Sequence, residues 1–123
     1  MLLDTNAWVE ILLDSEKGRR MALLFENERT VTVMVSLSEL ASWALKNNRN
    51  PEAVVERVKA ASSLLPFSED VARLAGKIHC RFKKETKAWG MVDSIIYATA
   101  LIYGFDVVTG DSDFKGKPHV RFL

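Results

Sequence analysis

The sequence holds 123 residues, of which 48% are hydrophobic and 27% charged, and its formal net charge at pH 7 is +1. These values predict one folded domain, residues 1–123, and exclude both a disordered chain and an excess of charge that would by itself indicate a polyanionic partner. Cys80 is the only cysteine, which excludes an internal disulfide and favours a reducing cytoplasm. Asp4 and Glu10 interrupt the apolar start, so we expect no signal peptide. The longest apolar stretch, residues 94–105, is about half a membrane span, so we expect no membrane association.

Short β-branched segments alternate along the chain with longer segments of helical period. In chain order, the pattern predicts a strand at 2–3, helices at 7–13 and 17–26, a strand at 30–35, a helix capped by Ser36, and a helix from 51 to about 63. It then predicts a short strand at 64–67, helices at 71–82 and 92–103, a strand at 105–109 and a closing edge strand at 119–123. Such an alternation is typical of an α/β domain with a mainly parallel sheet.

Five carboxylates lie at the edges of these apolar elements, where a soluble domain seldom places charge. They are Asp4, Glu39, Asp93, Asp111 and Asp113. Because the carboxyl ends of parallel strands and the helix starts that follow them share one edge of the sheet, we expect four of these acids to meet there. Two carboxylates about 4 Å apart repel by roughly 1 kcal/mol in water and about 4 kcal/mol near a protein surface. Some of them must therefore bind protons, or a divalent cation must neutralise them.

Each acid also has a local structural explanation. Asp4 can cap the first helix, and Glu39 completes an S-x-x-E capping box with Ser36. The acids of the GDSD segment fit a turn, whereas Asp93 opens a helix that is apolar nearly all round, so burial of that end favours a function. The metal interpretation therefore depends on the five acids jointly and not on any one of them.

Other metal and phosphate sites fail on the sequence itself. An EF-hand loop starting at Asp111 would need oxygen ligands where Lys115 and Phe122 stand, and one cysteine with two distant histidines cannot form a structural zinc site. No glycine-lysine pair is followed by serine or threonine, so no phosphate-binding P-loop is present. Hard oxygen ligands remain, and these select Mg²⁺ or Mn²⁺.

A basic stripe precedes Asp93 in the chain. Its members stand at i, i+4, i+8 and i+11 of one predicted helix and are Arg73, Lys77, Arg81 and Lys84. On its own, such a stripe is usually a solvated helix face. Because it leads directly to Asp93, it is also placed to hold a phosphate backbone, which makes these four side chains candidate RNA contacts.

Four segments carry a resemblance to a known family: LLDTN at 2–6, SLSEL at 36–40, VDSIIYATALIYG at 92–104 and VVTGDSDF at 107–114. In this order and spacing, the chain resembles a PIN domain over essentially its whole length, and in particular the small VapC-like toxin ribonucleases of type II toxin-antitoxin pairs. The resemblance implies a three-layer α/β/α sandwich with a mainly parallel sheet of four or five strands. It also implies homodimerisation and a small antitoxin protein that blocks the site.

The resemblance further implies an activity and residue roles. The activity would be a Mg²⁺- or Mn²⁺-dependent endoribonuclease, with water as the nucleophile on RNA phosphodiester bonds. The implied catalytic acids are Asp4, Glu39, Asp93 and Asp111, and the implied metal ligands are Asp4, Asp93, Asp111 and Asp113. The polar residues that match supporting positions are Thr5, Asn6 and Thr109. The alternative is a catalytically inactive PIN-like module that binds RNA or protein and keeps its acids for capping.

Overall fold

The computed structural model describes all of residues 1–123 and places six helices around one sheet of five parallel strands. The strands are β1 (Leu2–Leu3), β2 (Val31–Val33), β3 (Ser63–Leu65), β4 (Val107–Thr109) and β5 (Val120–Phe122). The helices are α1 (Thr5–Leu12), α2 (Glu16–Leu23), α3 (Met34–Lys46), α4 (Pro51–Ala61), α5 (Glu69–Glu85) and α6 (Met91–Tyr103). Short 3₁₀ turns lie at Leu24–Glu26 and Ser112–Phe114. The parallel α/β fold predicted from the sequence is confirmed.

The sheet separates two apolar layers, as the alternation of side chains along its strands requires. Leu2 and Val107 belong to the layer formed with α5 and α6. Their neighbours Leu3 and Val108 belong to the layer formed with α1 to α4. Helices therefore cover both faces of the sheet, which explains why its central strands are almost wholly apolar. The three-layer α/β/α sandwich is confirmed.

The strands lie in the order β3-β2-β1-β4-β5, so the chain adds strands first on one side of β1 and then on its other side. The chain builds outward from β1 to β3 and then returns through α5 and α6 to β4, which pairs with the free side of β1. Leu2 lies opposite Val107 and Leu3 opposite Val108. In open parallel sheets, such a switch point leaves a crevice at the carboxyl ends of the strands. The residues that follow β1 and β4 therefore lie side by side at this crevice.

The main difference from the sequence prediction lies at β2 and α3. β2 ends at Val33 rather than at residue 35, and α3 begins at Met34 without a side-chain cap. Ser36 is inside the helix and fully buried, so the predicted capping box with Glu39 is wrong. The valine-rich run favours a strand locally, but burial of the helix face that carries Leu40 and Ala44 outweighs this preference. Leu45, near the end of α3, is 66% exposed.

The helix α6 runs through the centre of one layer. Its residues 94–100 are all buried, as its nearly uniform apolar character predicts. At its start, the indole Nε1 of Trp89 donates a 2.7 Å hydrogen bond to Ser94 Oγ, and at its end Gly104 takes the left-handed conformation with φ 76°. None of the six helices combines the length and the hydropathy of a bilayer-crossing segment.

Gly18 lies where α2 approaches α1 most closely. A Cβ at this position would stand 2.1 Å from the carbonyl oxygen of Glu10, which backbone atoms cannot accept without moving. We predict that Gly18→Ala lowers the free energy of unfolding by about 1–3 kcal/mol, measured by urea denaturation. The matched control is Gly76→Ala on α5, where a Cβ meets nothing within 4 Å and should raise stability by up to about 1 kcal/mol. Equal stability of the two variants would contradict this packing.

Candidate metal and catalytic site

Asp4 is the most buried of the five acids and directly follows β1, with 2% of its surface exposed. Its Oδ1 accepts a 2.8 Å hydrogen bond from the backbone amide of Ala7, which caps α1, and its Oδ2 accepts a 2.5 Å bond from the hydroxyl of Thr109. Burial raises the pKa of Asp4 to about 7; the two hydrogen bonds oppose this rise, and the charges of Asp111 and Asp93 add to it. The predicted capping role thus uses only one of its oxygens.

Asp93 stands at the third position of α6 and is half-buried. Its Oδ2 accepts a 2.9 Å hydrogen bond from the backbone amide of Gly90, just before the helix. Burial raises the pKa of Asp93, the bond from Gly90 lowers it, and the charges of Asp111, Glu39 and Asp113 raise it further. Asp93 therefore lies within electrostatic range of acids from two other segments of the chain.

Glu39 reaches the site from the second turn of α3. Instead of closing a capping box, its Oε1 accepts a 2.5 Å hydrogen bond from the hydroxyl of Thr5, at the start of α1. Because Thr5 follows Asp4 directly, this bond ties α3 to the end of β1. The sequence placed Glu39 at the edge of the sheet, and the structure supplies the contact that holds it there.

The loop after β4 is held by side chains at both of its ends. The hydroxyl of Thr109, besides donating to the acid after β1, accepts a 2.9 Å hydrogen bond from the amide of Asp111. The side-chain oxygen of Asn6 accepts a 3.2 Å bond from the amide of Gly110. Asp111 Oδ1 accepts a 2.9 Å bond from the amide of Asp113, so the predicted turn role of the GDSD segment is also observed. One hydroxyl thus links the ends of β1 and β4.

The five acids are near enough to act on one another electrostatically, since Asp111 and Asp93 act on Asp4 and the other three acids act on Asp93, but most of them are bound to local donors. No three acidic, histidine or cysteine side chains are arranged so as to hold a metal ion as the structure stands. Mutual repulsion favours such separation among carboxylates without a counterion. The donor set itself consists of carboxylate oxygens, which fit Mg²⁺ and Mn²⁺. To bind an ion, several of these side chains would have to exchange an amide or hydroxyl donor for the metal.

The basic stripe of α5 does not act as one unit. Arg73 forms a 3.2 Å ion pair with Glu69 one turn earlier in the helix. Lys77 and Arg81 line a cleft between α5 and α6. Lys84 extends into solvent. The helical spacing of the four residues could not predict these different environments, because the cleft depends on the position of the neighbouring helix α6.

The sequence analysis missed Lys117, which joins the acidic loop to the helical layer. Its Nζ donates a 3.1 Å hydrogen bond to the carbonyl oxygen of Asp113. The same ammonium group lies 4.8 Å from the ring centroid of Phe82 and 5.0 Å from that of Trp89. This placement allows cation–π attraction to both rings. The contacts connect segments far apart in the chain, so no local signal could have predicted them.

Comparison with known proteins agrees with this fold. A family model described as the PIN domain matches residues 1–120. The chain belongs to the PIN-domain family. This PIN domain is 36% identical over 70 residues to a protein named Ribonuclease VapC from Rickettsia bellii (strain RML369-C). That alignment covers 56% of the chain and 52% of the relative, so the chain spans about half the length of the curated relative that it matches.

Solved structures share the fold of this PIN domain over nearly its full length. A toxin-antitoxin complex from Klebsiella pneumoniae superposes with a TM-score of 0.76 at 21% identity, covering 98% of this chain and 94% of the other. VapBC2 from Rickettsia felis, bound to promoter DNA, superposes with a TM-score of 0.77 at 19% identity, covering 99% of this chain and 96% of the other. The sarcin-ricin loop cleaving toxin VapC20 from Mycobacterium tuberculosis gives 0.70 at 18% identity, covering 98% of each chain. The resemblance to PIN domains seen in the sequence is confirmed.

Asp4 gives the metal-free protein a defined dependence of stability on pH. Its pKa is about 7 in the folded protein and 3.8 as an ordinary aspartate, so the folded state holds this proton more tightly. The resulting stabilisation is full below about pH 4 and is lost as the pH rises through about 7, at up to about 1.4 kcal/mol per pH unit. We predict that Asp4→Asn, which keeps the helix cap but cannot ionise, removes this loss.

The measurement is the urea midpoint of wild type and variant in EDTA between about pH 5 and pH 8. Other titrating groups are common to both proteins, so the difference between the two curves isolates Asp4. Parallel curves would show that the carboxyl is not buried as described.

Proposed function

We propose that this PIN domain is a metal-dependent endoribonuclease that hydrolyses RNA phosphodiester bonds, and that it is the toxin of a toxin-antitoxin pair. The observation that supports the proposal is that acids from four separate segments act electrostatically on one another near the switch point of the sheet, with the pKa of Asp4 raised to about 7. The likeness to Ribonuclease VapC supports the choice of ribonuclease chemistry. RNA is the proposed substrate for the same reason.

The proposed cofactor is Mg²⁺ or Mn²⁺, held by Asp4, Asp93, Asp111 and Asp113. When bound, such an ion lowers the pKa of a water molecule and neutralises charge that develops on the phosphate. The positive charge of the ion would favour the ionised form of Asp4 and Asp93, against the burial and neighbouring charges that raise the pKa of both. The acids that are costly to ionise in the free protein are thus the ones whose negative charge a bound cation would stabilise most.

Hydroxyl and amide groups would position the proposed acids. Thr109 would fix the buried carboxylate of Asp4 relative to the loop that carries Asp111, since its one hydroxyl contacts both residues. Thr5 would hold Glu39 at the crevice, where this carboxylate is placed to orient the attacking water or to accept its proton. Asn6 would anchor the same loop through its backbone. None of these roles requires a nucleophilic side chain.

One observation favours the inactive binding module as a second candidate. The acids accept hydrogen bonds from the protein itself, and no three of them are arranged for a metal ion. A module that only binds RNA would retain RNA without metal and never cleave it. Raised pKa values at two acids favour the nuclease, because a purely structural cap gains nothing from burying an uncompensated charge.

The proposed protein partners are a small antitoxin and a second copy of the chain. The structural neighbours from Klebsiella pneumoniae and Rickettsia felis are toxin-antitoxin complexes, which supports the antitoxin. For the second copy we propose the groove between α3 and the start of α6, about 460 Å³ in volume, whose apolar lining of Val35, Trp43 and Val92 borders the proposed catalytic acid Glu39. Met91, the residue before Val92, is 47% exposed.

The proposed location of the protein is the cytoplasm. The free, exposed thiol of Cys80 supports this location.

The nuclease proposal predicts that Asp93→Asn and Asp4→Asn reduce cleavage of single-stranded RNA by about 100-fold or more, because each removes a charged oxygen ligand. Wild-type cleavage should cease in EDTA and return with excess Mn²⁺. The assay is gel separation of an end-labelled RNA, with a test that the new ends carry 5′-phosphate. Asp70→Asn, which removes an exposed acid from the first turn of α5, is the matched control and should cleave normally.

Full activity of either site variant would overturn the assignment of that acid. Cleavage that persists in EDTA would overturn the metal. A wild-type protein that retains RNA but never cuts it under any metal would favour the inactive module instead.

The dimer proposal predicts that Met91→Arg converts a dimer into a monomer, because a buried guanidinium without a partner destabilises an apolar contact. Light scattering coupled to size exclusion measures the mass. Leu13→Arg is the control, since Leu13 is 50% exposed at the end of α1 and does not line this groove. A monomeric wild type, or a variant that stays dimeric, would contradict the choice of this groove.

A further inference from the structure

A second cavity opens between α5 and α6, apart from the acidic crevice. Its volume is about 510 Å³, within the range of about 300–1,000 Å³ that small-molecule sites occupy. Apolar side chains line most of it, and Pro118 and His119 close it on the side of β5. Two cations, Lys77 and Arg81, belong to its lining, and no acidic residue does. We call this cavity the α5–α6 cleft.

The charges of the cleft are not neutralised within the protein. Neither Lys77 nor Arg81 takes part in any ion pair, whereas Arg73 on the same helix pairs with Glu69. Two unpaired cations beside an apolar wall match a ligand that is anionic at one end and flat and apolar at the other. A nucleotide has this character, with its phosphate on the cations and its base on the wall.

The cleft lies along the same helix as Asp93, because Tyr97 and Leu101 of α6 belong to its lining. Tyr97 lies one helical turn after Asp93 and Leu101 one turn further, so all three share one face of α6 and are spaced by about 6 Å. The hydroxyl of Tyr97 donates a 2.7 Å hydrogen bond to the carbonyl oxygen of Pro118. This bond fixes the segment that follows the acidic loop against α6. Because this segment lies over the buried Tyr97, a strand that leaves the acids along α6 reaches the cleft by passing over residues 117–118.

Lys117 lies between the two sites. Its ammonium group contacts the carbonyl oxygen of Asp113 on one side and the ring of Phe82, which lines the cleft, on the other. A positive charge thus stands at the boundary between the acids and the cleft. It offsets the repulsion that a phosphate would meet so close to carboxylates.

We propose that the α5–α6 cleft binds a nucleotide of the RNA strand that flanks the cleaved phosphodiester bond. Its base would pack against Leu74, Phe82 and Leu101, and its phosphate would lie between Lys77 and Arg81. The proposal rests on the proposed ribonuclease function and adds a substrate subsite to it. Of the four basic residues predicted to contact RNA, it selects the two inside the cleft and assigns no phosphate to Arg73 or Lys84.

The first test compares two double variants that remove the same charge from the same helix. Lys77→Ala/Arg81→Ala empties the cleft of cations, and Arg73→Ala/Lys84→Ala leaves the cleft intact. Each is titrated with a fluorescent single-stranded oligoribonucleotide in EDTA, and anisotropy is recorded over a salt series. The cleft variant should bind about tenfold more weakly or worse, and the slope of log affinity against log salt should fall by about 0.7, the value for the one phosphate assigned to these two cations. The control should keep most of the affinity and slope.

The second test addresses the apolar wall with neighbouring residues of α6. Leu101 lines the cleft and is 38% exposed, whereas Ile102 is 42% exposed and lies outside it. Leu101→Glu should weaken RNA binding about tenfold, since it places a carboxylate against the bound nucleotide. Ile102→Glu, which adds the same charge one residue away, should do so much less. Thermal unfolding of both variants checks that they are folded.

Equal RNA affinity of the cleft and control variants would overturn the subsite, as would a wild type that does not bind the oligoribonucleotide. An acidic peptide serves as a second probe. If the cleft variant loses affinity for this peptide and keeps its affinity for RNA, the subsite is overturned and the cleft is assigned to a protein partner. Cleavage in Mn²⁺ is scored separately. A wild type that binds RNA through the cleft but never cuts it would support the subsite and overturn the ribonuclease. A wild type that cuts RNA, together with a cleft variant of unchanged RNA affinity, would support the ribonuclease and overturn the subsite.

Discussion

Carboxylates that meet in a partly buried crevice repel one another and lose hydration, and the arrangement of the whole site follows from how the protein offsets this. The pKa of Asp4 rises to about 7 and that of Asp93 rises in the same direction, chiefly through burial. Hydroxyl and amide donors oppose the rise: Thr109 and the start of α1 at Asp4, and Gly90 at Asp93. These donors reduce the electrostatic cost without removing it. A divalent cation would complete the compensation, and this links the electrostatics of the fold to the proposed function.

The sheet makes this concentration of charge possible. Because β4 returns to the free side of β1, the segments that follow these two strands meet in register, and Thr109 stands opposite the residue after Leu3. The apolar layers on both faces hold the strands so firmly that very short strands suffice to position the acids. On one side, α3 is tied to the end of β1 through Thr5 and Glu39. On the other, α6 brings Asp93 to the same edge.

The layer of α5 and α6 connects the acids to the rest of the proposed RNA surface. Lys117 lies against Phe82 and Trp89, and Tyr97 holds the segment before β5. The same contacts that pack this layer form the wall of the α5–α6 cleft, so binding there would require no rearrangement of the core. Lys77 faces the cleft while Arg73 is neutralised by a neighbour on its own helix. The basic residues of α5 are therefore evenly spaced in the sequence but differ in whether a neighbouring acid neutralises their charge.

Local pattern alone determined the class of fold, the order of the elements and the expectation that acids gather at one edge of the sheet. Alternation, helical period and end signals such as Gly104 are properties of neighbouring residues, so the sequence contains them directly. Only the tertiary structure decided where β2 ends and α3 begins, because burial of the α3 face that carries Leu40 and Ala44 outweighs the strand preference of the valines. It also decided that Glu39 bonds to Thr5 rather than closing a capping box. These outcomes depend on contacts between segments distant in the chain, whose free energies no local pattern specifies.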